Sequence, residues 1–302
     1  MNATAPTSAA EQAVARFLER LAVERRASPH TVAAYRRDLA RLTAWMGARN
    51  LAAIDALSPD LLRGFIAAAH RTGLAPTSLQ RLLASCRALF RALAREGLLT
   101  SDPAAGVRAP RARRRLPVVL DVDAAAQLME SPGDDRLGVR DRALLELLYS
   151  SGLRLAELTG LRWEALDLDG GQVRVTGKGQ KTRVVPVGRH AVTALRALAV
   201  TGAAPQAPVF LGRGGGPLSP RAVQARLHTL AQRHGLPQRL HPHLLRHTCA
   251  SHLLESSGEL RAVQELLGHA DIATTEIYTH LDFQHLARVY DAAHPRARRK
   301  AS

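Results

Sequence analysis

One short stretch combines residue types that bind anions. Residues 241–247 read HPHLLRH. Proline suits the first turn of a helix, so His243 and Arg246, three residues apart, would share one helix face. An imidazole and a guanidinium beside a helix N-terminus favour the binding of phosphate or another anion.

The same stretch also permits a second interpretation, a zinc site. His243 and His247 stand four residues apart, as in the metal-binding helices of metalloproteases. The glutamate that would act as the base is missing and no third ligand is evident, which favours the anion site. We interpret His247 and His252 as ordinary surface polar residues of an amphipathic helix.

Two other stretches contain residues that become informative only in combination. Residues 151–158, SGLRLAEL, place Arg154 after a glycine, and by itself Arg154 is most simply the ion-pair partner of Glu157. Residues 266–280 contain LLGHA and then TTEIYTH. Tyr278 is one of only four tyrosines and has histidines on both sides, although a single tyrosine is usually a core residue.

The basic residues are unusually uniform. Lysine and arginine total 42, and only Lys178, Lys181 and Lys300 are lysines. A guanidinium stays protonated, whereas an ammonium gives up its proton when its surroundings lower its pKa. Lys178 and Lys181 are therefore candidates for proton transfer. The alternative is that lysine occurs at these positions by chance, and this is how we interpret Lys300.

Composition indicates the kind of partner. The 302 residues carry a formal net charge of +16, which favours a polyanion such as nucleic acid or an anionic membrane surface. No run approaches the ~18 apolar residues of a membrane span, and the first residues, MNATAPTSAAEQ, do not resemble a secretory signal. Cys86 and Cys249 form no CxxC motif, so we expect a reducing, cytoplasmic location without membrane insertion.

The first hundred residues should fold as a small helical bundle. Helices are predicted from Glu11 to Arg26, from Ser28-Pro29 onward, from Ser58-Pro59 to His70, and from Thr77 to Arg95 before Gly97. Their arginines favour a DNA-facing surface over simple solvation, and these are Arg36, Arg37, Arg81, Arg87 and Arg91.

Residues 102–117, DPAAGVRAPRARRRLP, interrupt the helical pattern and predict an interdomain linker. Its arginines would either lie along the phosphate backbone of a nucleic acid or simply make the segment a flexible basic tether. Beyond it, residues 172–176 and 182–187 alternate as two short strands, joined by a GKGQK turn with Lys178 at its tip. Helices are predicted at 121–130, 135–150, 154–161, 189–200, 219–234, 242–255, 259–267 and 283–292.

Taken in order, these motifs resemble one family. GLRxxEL, a GKG hairpin, PHxLRH, LLGH and IYTH resemble the tyrosine recombinase (phage integrase-like) family over essentially the whole chain, and residues 253–297 are similar to its XerC subgroup. The resemblance implies a mainly α fold with a small β-hairpin or sheet. Residues 1–108 would be a helical, SAM-like core-binding domain, 109–117 a basic linker, and 118–302 an α+β catalytic domain.

The resemblance also implies roles for individual residues. Arg154 and Arg246 would bind the non-bridging oxygens of the scissile phosphate and stabilise a pentacoordinate transition state. His269 would donate a further hydrogen bond. His243 would bind the phosphate or help to remove the tyrosine proton.

Covalent chemistry would belong to two further residues. Tyr278 would attack the phosphorus and form a 3′-phosphotyrosyl bond, and Lys178 would protonate the departing 5′ oxygen. No cofactor, metal ion or ATP is implied, because the phosphotyrosyl bond keeps the energy needed for resealing.

The implied partners are double-stranded DNA, a XerD-like recombinase in a heterotetrameric synapse and an FtsK-like DNA translocase. The C-terminal segment would dock on the neighbouring protomer, and the biological role would be resolution of chromosome dimers at cell division. The alternatives are a phage or integron-type integrase, a catalytically silent DNA-binding relative, and a metal-dependent phosphodiesterase that uses the histidines of 241–252.

Overall fold

Two separate clusters of buried apolar side chains divide the chain into two units, Met1–Arg115 and Leu116–Ser302. The structure is a computed structural model that describes residues 8–23, 27–111, 119–133, 135–177, 182–199, 204–235, 240–268 and 280–297.

Serine caps begin two helices of the first unit, as predicted. The hydroxyl of Ser28 accepts a hydrogen bond from the Thr31 amide at 3.2 Å, and the hydroxyl of Ser58 accepts one from the Leu61 amide at 3.2 Å. Gly97, at φ +72°, follows the last helix. The helices are α1 (Ala9–Val23), α2 (Pro29–Gly47), α3 (Pro59–Arg71) and α4 (Pro76–Arg95), with a 3-10 helix at Ile54–Ala56.

A buried carboxylate ties α2 to α4. Asp38 is completely buried, and both of its oxygens accept hydrogen bonds from the Arg81 guanidinium, at 2.8 and 2.9 Å. Arg87 donates to the Val107 carbonyl at 2.7 Å. Arg81 and Arg87, two of the five arginines predicted to face DNA, therefore help to hold the first unit together.

The second unit contains all the predicted helices of its part of the chain, with ends that differ from the predicted ones by at most three residues. Helix α6 is buried along most of its length and contacts α8 and α10. The helices are α5 (Val122–Glu130), α6 (Arg136–Ser151), α7 (Leu155–Thr159), α8 (Arg189–Leu198), α9 (Pro220–Arg233), α10 (Pro242–Ser257), α11 (Leu260–Leu267) and α12 (His280–Ala293), with a 3-10 helix at Trp163–Ala165.

A small antiparallel sheet lies in the second unit, with strand order β1 (Leu166–Asp167), β2 (Gln172–Thr176) and β3 (Thr182–Pro186). The two predicted strands are confirmed, and β3 ends one residue early. Strand β1 was not predicted, because two residues are too short to show an alternating pattern. Residues 178–181 lie outside the described residues, so the position of Lys178 at a hairpin tip stays a prediction.

The C-terminal helix packs on its own unit. Leu286, Tyr290 and Ala293 of α12 are buried, and the helix contacts α10, α11 and β3. Docking of a C-terminal segment on a neighbouring protomer stays a prediction. Within the described ranges, every helix is too short or too polar to cross a bilayer.

Candidate active site

Arg154 is positioned by a tight turn between two helices. Gly152 ends α6 in the left-handed region, at φ +55°, a conformation that glycine adopts without strain. Arg154 then caps α7. Its backbone amide donates to Glu157 Oε2 at 2.8 Å, and its Nη1 donates to Glu157 Oε1 at 2.9 Å. The predicted ion pair between Arg154 and Glu157 is confirmed.

Arg246 reaches the same place from α10. The ring of His241 caps this helix and accepts a hydrogen bond from the Leu244 amide at 3.0 Å. One turn further on, the half-buried Arg246 side chain donates to the carbonyl oxygens of Gly152 and Leu267. Arg154 and Arg246, which are 92 residues apart in the sequence, are therefore brought together.

The end of α11 is where these side chains meet. Arg154 Nη2 donates to the carbonyl oxygens of Leu267, at 3.2 Å, and Gly268, at 2.9 Å. Arg183 Nε donates to the Leu266 carbonyl at 3.4 Å. Gly268 caps the helix at φ +60°. Three guanidiniums thus bind three successive carbonyl groups.

Arg183 was not predicted as part of the site. It is buried, and its Nη1 and Nη2 donate to the two oxygens of Glu157 at 2.7 and 3.0 Å. A signal was present in the sequence, because residues 182–187 were predicted as a strand. Alternation places Arg183 on the same face as the buried Val185, an unusual position for a charge.

The cluster has more positive than negative charge. Arg154, Arg183 and Arg246 surround one carboxylate, that of Glu157, which leaves two positive charges in excess among these four groups. Burial alone would raise the pKa of Glu157, but hydrogen bonds from Arg183 and Arg154 lower that pKa overall. Burial, followed by repulsion from Arg154 and Arg183, lowers the pKa of Arg246 to about 10. Such a site is stabilised by an anion.

Two glycines next to predicted site residues lie beside Arg154. A Cβ atom on Gly177 would lie 3.4 Å from Arg154 Nη1, and the carbonyl of Gly268 accepts from Arg154. Lys178 and His269 follow these glycines in the sequence. Lys178, His269 and Tyr278 themselves lie outside the described residues, and their roles stay predictions.

The histidines of α10 differ from one another. His243 is exposed, with its ring 6.4 Å from that of His241, and His247 is also exposed. The interpretation of His252 as a surface residue was wrong. His252 is buried, with Nδ1 2.8 Å from the Tyr149 hydroxyl and Nε2 2.8 Å from the Leu120 carbonyl, because it faces the core between α10 and α6.

Metal ligands do not cluster in the described part of the chain. No group of three histidine, cysteine, aspartate or glutamate side chains stands close enough there to hold an ion. His243 and His247 have no third partner of these types among those residues.

Comparison with known proteins identifies both halves of the chain. Residues 118–285 match the phage integrase family, and residues 14–97 match the phage integrase N-terminal SAM-like domain. The fold class predicted from the sequence is confirmed.

Individual relatives give a consistent result. The chain is 59% identical to tyrosine recombinase XerC of Xylella fastidiosa strain M23, over 94% of this chain and 97% of that protein. It is 55% identical to tyrosine recombinase XerC of Pseudomonas aeruginosa strain LESB58, over 95% of each. A lambda integrase dimer bound to a COC′ core site shares the fold, with a TM-score of 0.70 and 18% identity, over 89% of this chain and 97% of that one. The chain therefore belongs to the phage integrase family and is a tyrosine recombinase, an enzyme that cleaves and rejoins DNA strands.

Proposed function

We propose that this enzyme recombines double-stranded DNA at a specific site and resolves chromosome dimers before cell division. Lambda integrase, which shares the fold, has been solved as a tetramer bound to a Holliday junction. Identity of 59% to proteins named XerC, over nearly the full length of both chains, favours this role over that of a phage or integron-type integrase.

The observation that carries the proposal is the pairing of Arg154 and Arg246 on one carbonyl oxygen, that of Leu267. Two guanidiniums that donate hydrogen bonds to one acceptor are close enough together to bind the non-bridging oxygens of one phosphodiester. With Arg183 and Glu157, they leave two positive charges in excess, which complements the negative charge that develops on the non-bridging phosphate oxygens during attack.

In the proposed reaction, the phenolic oxygen of Tyr278 bonds to phosphorus, and the bond from phosphorus to the 5′ oxygen breaks. His243 binds the phosphate or helps to take the phenolic proton, and Lys178 supplies a proton to the departing 5′ oxygen. His269 donates a hydrogen bond to the phosphate. The reverse sequence, with the 5′ hydroxyl of another strand, reseals the DNA without ATP or a metal ion.

The two units would have different roles in the reaction with DNA. Residues 1–108 would present helices to the major groove, residues 109–117 would link the units, and residues 118–302 would carry the chemistry. We further propose a cytoplasmic synapse of four protomers that contains a XerD-like recombinase and is activated by an FtsK-like translocase.

Covalent trapping tests the chemistry. Footprinting on the host genome, with and without the partner recombinase, locates the site, and a nicked duplex of that site is then incubated with the enzyme. We expect an adduct that survives SDS, forms equally well in EDTA and is absent for Tyr278→Phe. No adduct from the wild type would refute the mechanism, and an EDTA-sensitive reaction would favour a metal-dependent phosphodiesterase.

Deletion of the gene in its host tests the biological role. We expect chromosome dimers to accumulate and cells to filament, and plasmid-borne wild type but not Tyr278→Phe to restore division. Normal division in the deletion strain would favour an integrase with another purpose.

A further inference from the structure

We propose that Arg183 is a positioning residue for recombination, which holds Arg154 and the end of α11 in the arrangement that receives the scissile phosphate. This inference rests on the proposed roles of Arg154 and Arg246. Arg183 is 7% exposed and is itself too deeply buried to be a DNA contact.

Glu157 is the link between the two arginines. Oε1 accepts from Arg154 Nη1 at 2.9 Å and from Arg183 Nη1 at 2.7 Å. Oε2 accepts from the Arg154 backbone amide at 2.8 Å and from Arg183 Nη2 at 3.0 Å. Each oxygen therefore has one donor from each arginine, which fixes the carboxylate and, through it, the Arg154 guanidinium.

The aliphatic part of Arg183 fixes the other side of the site. A Cβ atom on Gly268 would lie only 3.0 Å from Arg183 Cδ, so the chain passes directly over this side chain. Arg183 Nε also donates to the Leu266 carbonyl at 3.4 Å. Arg183 thereby sets the separation between Glu157 and the carbonyl groups that Arg154 and Arg246 bind.

Only arginine provides both the paired hydrogen bonds to Glu157 and the contacts with the end of α11. A planar guanidinium makes two parallel hydrogen bonds to a carboxylate, whereas an ammonium on a flexible stem makes a single-point contact. Without Arg183, Glu157 loses two of its four donors and one neutralising charge, so it would attract the Arg154 guanidinium away from the phosphate. The effect should appear in the chemical step and not in DNA binding.

The test compares Arg183→Gln and Arg183→Lys with a matched control. Asp141 is a second buried carboxylate of the same unit shared by two arginines, Arg140 at 3.1 Å and Arg226. Arg226→Gln therefore breaks a similar pair that shares no residue with the Glu157 cluster. For each full-length variant, urea unfolding, DNA affinity and single-turnover adduct formation are measured.

We expect Arg183→Gln to slow adduct formation about 100-fold, the size of effect that a small misplacement of a catalytic group produces. DNA affinity should stay within about threefold, and Arg226→Gln should react at close to the wild-type rate. Arg183→Lys keeps the charge and should fold if Arg183→Gln does not. Adduct formation by Arg183→Lys should still be slow, because an ammonium group cannot make two parallel hydrogen bonds to Glu157.

A double-mutant cycle separates positioning from general destabilisation. If Arg183 acts through Arg154, Arg183→Gln added to Arg154→Ala should slow the reaction less than about threefold further, whereas independent effects multiply. Multiplicative losses, or Arg183→Lys at the wild-type rate, would overturn the inference. A wild type without a Tyr278-dependent adduct would instead refute the proposed function.

Discussion

The guanidinium groups of Arg154 and Arg246 donate hydrogen bonds to the same atom, the carbonyl oxygen of Leu267. One arginine follows the glycine turn after α6, and the other lies in α10. Their convergence on a third element, α11, means that three separate segments must fold correctly before the pair exists. The pair is therefore a product of tertiary structure.

The first prediction concerns Arg246. Arg246→Ala removes one of the two guanidiniums proposed to bind the scissile phosphate, and removing one such donor typically slows catalysis by about 10² to 10³. Adduct formation under single-turnover conditions should fall by this factor, while a gel-shift assay shows DNA affinity largely retained. An unchanged rate of adduct formation would mean that Arg246 does not bind the scissile phosphate.

The second prediction concerns Glu157. Glu157→Gln leaves three buried or half-buried guanidiniums without their shared counter-charge, and loss of one partner of a buried ion pair costs about 3–5 kcal/mol. Urea unfolding of the full chain should reveal this loss at pH 7. The exposed Glu164 supplies the control, because Glu164→Gln should change the free energy of unfolding by less than about 0.5 kcal/mol.

The third prediction is a pH dependence of stability that arises from His294. Burial, with repulsion from His252, lowers the pKa of this histidine to about 3, below its usual 6.5. Below pH 6.5 the unfolded chain binds a proton that the folded chain does not, so stability falls as the pH drops from 6.5 toward 3.

One such group contributes at most about 1.4 kcal/mol per pH unit. His294→Gln should therefore flatten the decline in unfolding free energy between pH 6.5 and 5, as measured by urea titration at each pH. Burial also lowers the pKa of His190, which adds to the decline with the same sign, so His190→Gln is the parallel measurement. An equally steep decline in His294→Gln would contradict the assignment.

The fourth prediction tests how tightly the C-terminal segment packs. A Cβ atom on Gly188 would lie 2.8 Å from the Tyr290 hydroxyl oxygen and 3.3 Å from the Arg296 carbonyl oxygen. Gly188→Ala should therefore destabilise the fold by about 1–3 kcal/mol, as overpacking does, and speed amide hydrogen exchange near Tyr290. Gly214 has open space around it, so Gly214→Ala should have neither effect.

Much of the fold was predictable because its signals are local. The Ser-Pro pairs at 28–29 and 58–59 mark helix starts whose caps require only neighbouring residues. Strand β1 escaped prediction because its two residues depend entirely on pairing with β2. His252 was misplaced because sequence spacing does not indicate which face of α10 meets Tyr149.

The candidate site was predictable in part. The local motifs and the family resemblance singled out Arg154 and Arg246, but not the carbonyl groups of α11 that join them. Arg183 is one of 39 arginines, since only three of the 42 basic residues are lysines. Its burial depends on the register of β3 against β2, where it pairs with Val175.

The three carbonyl groups at the end of α11 have a consequence for how the enzyme meets its substrate. They form the negative pole of the helix macrodipole, and they orient Arg154, Arg183 and Arg246 before any DNA arrives. The alignment of these cations is thus achieved during folding, so little reorganisation remains for the reaction itself. Shortening α11 by one turn should accordingly slow strand cleavage, because the carbonyl groups that orient the three arginines would move.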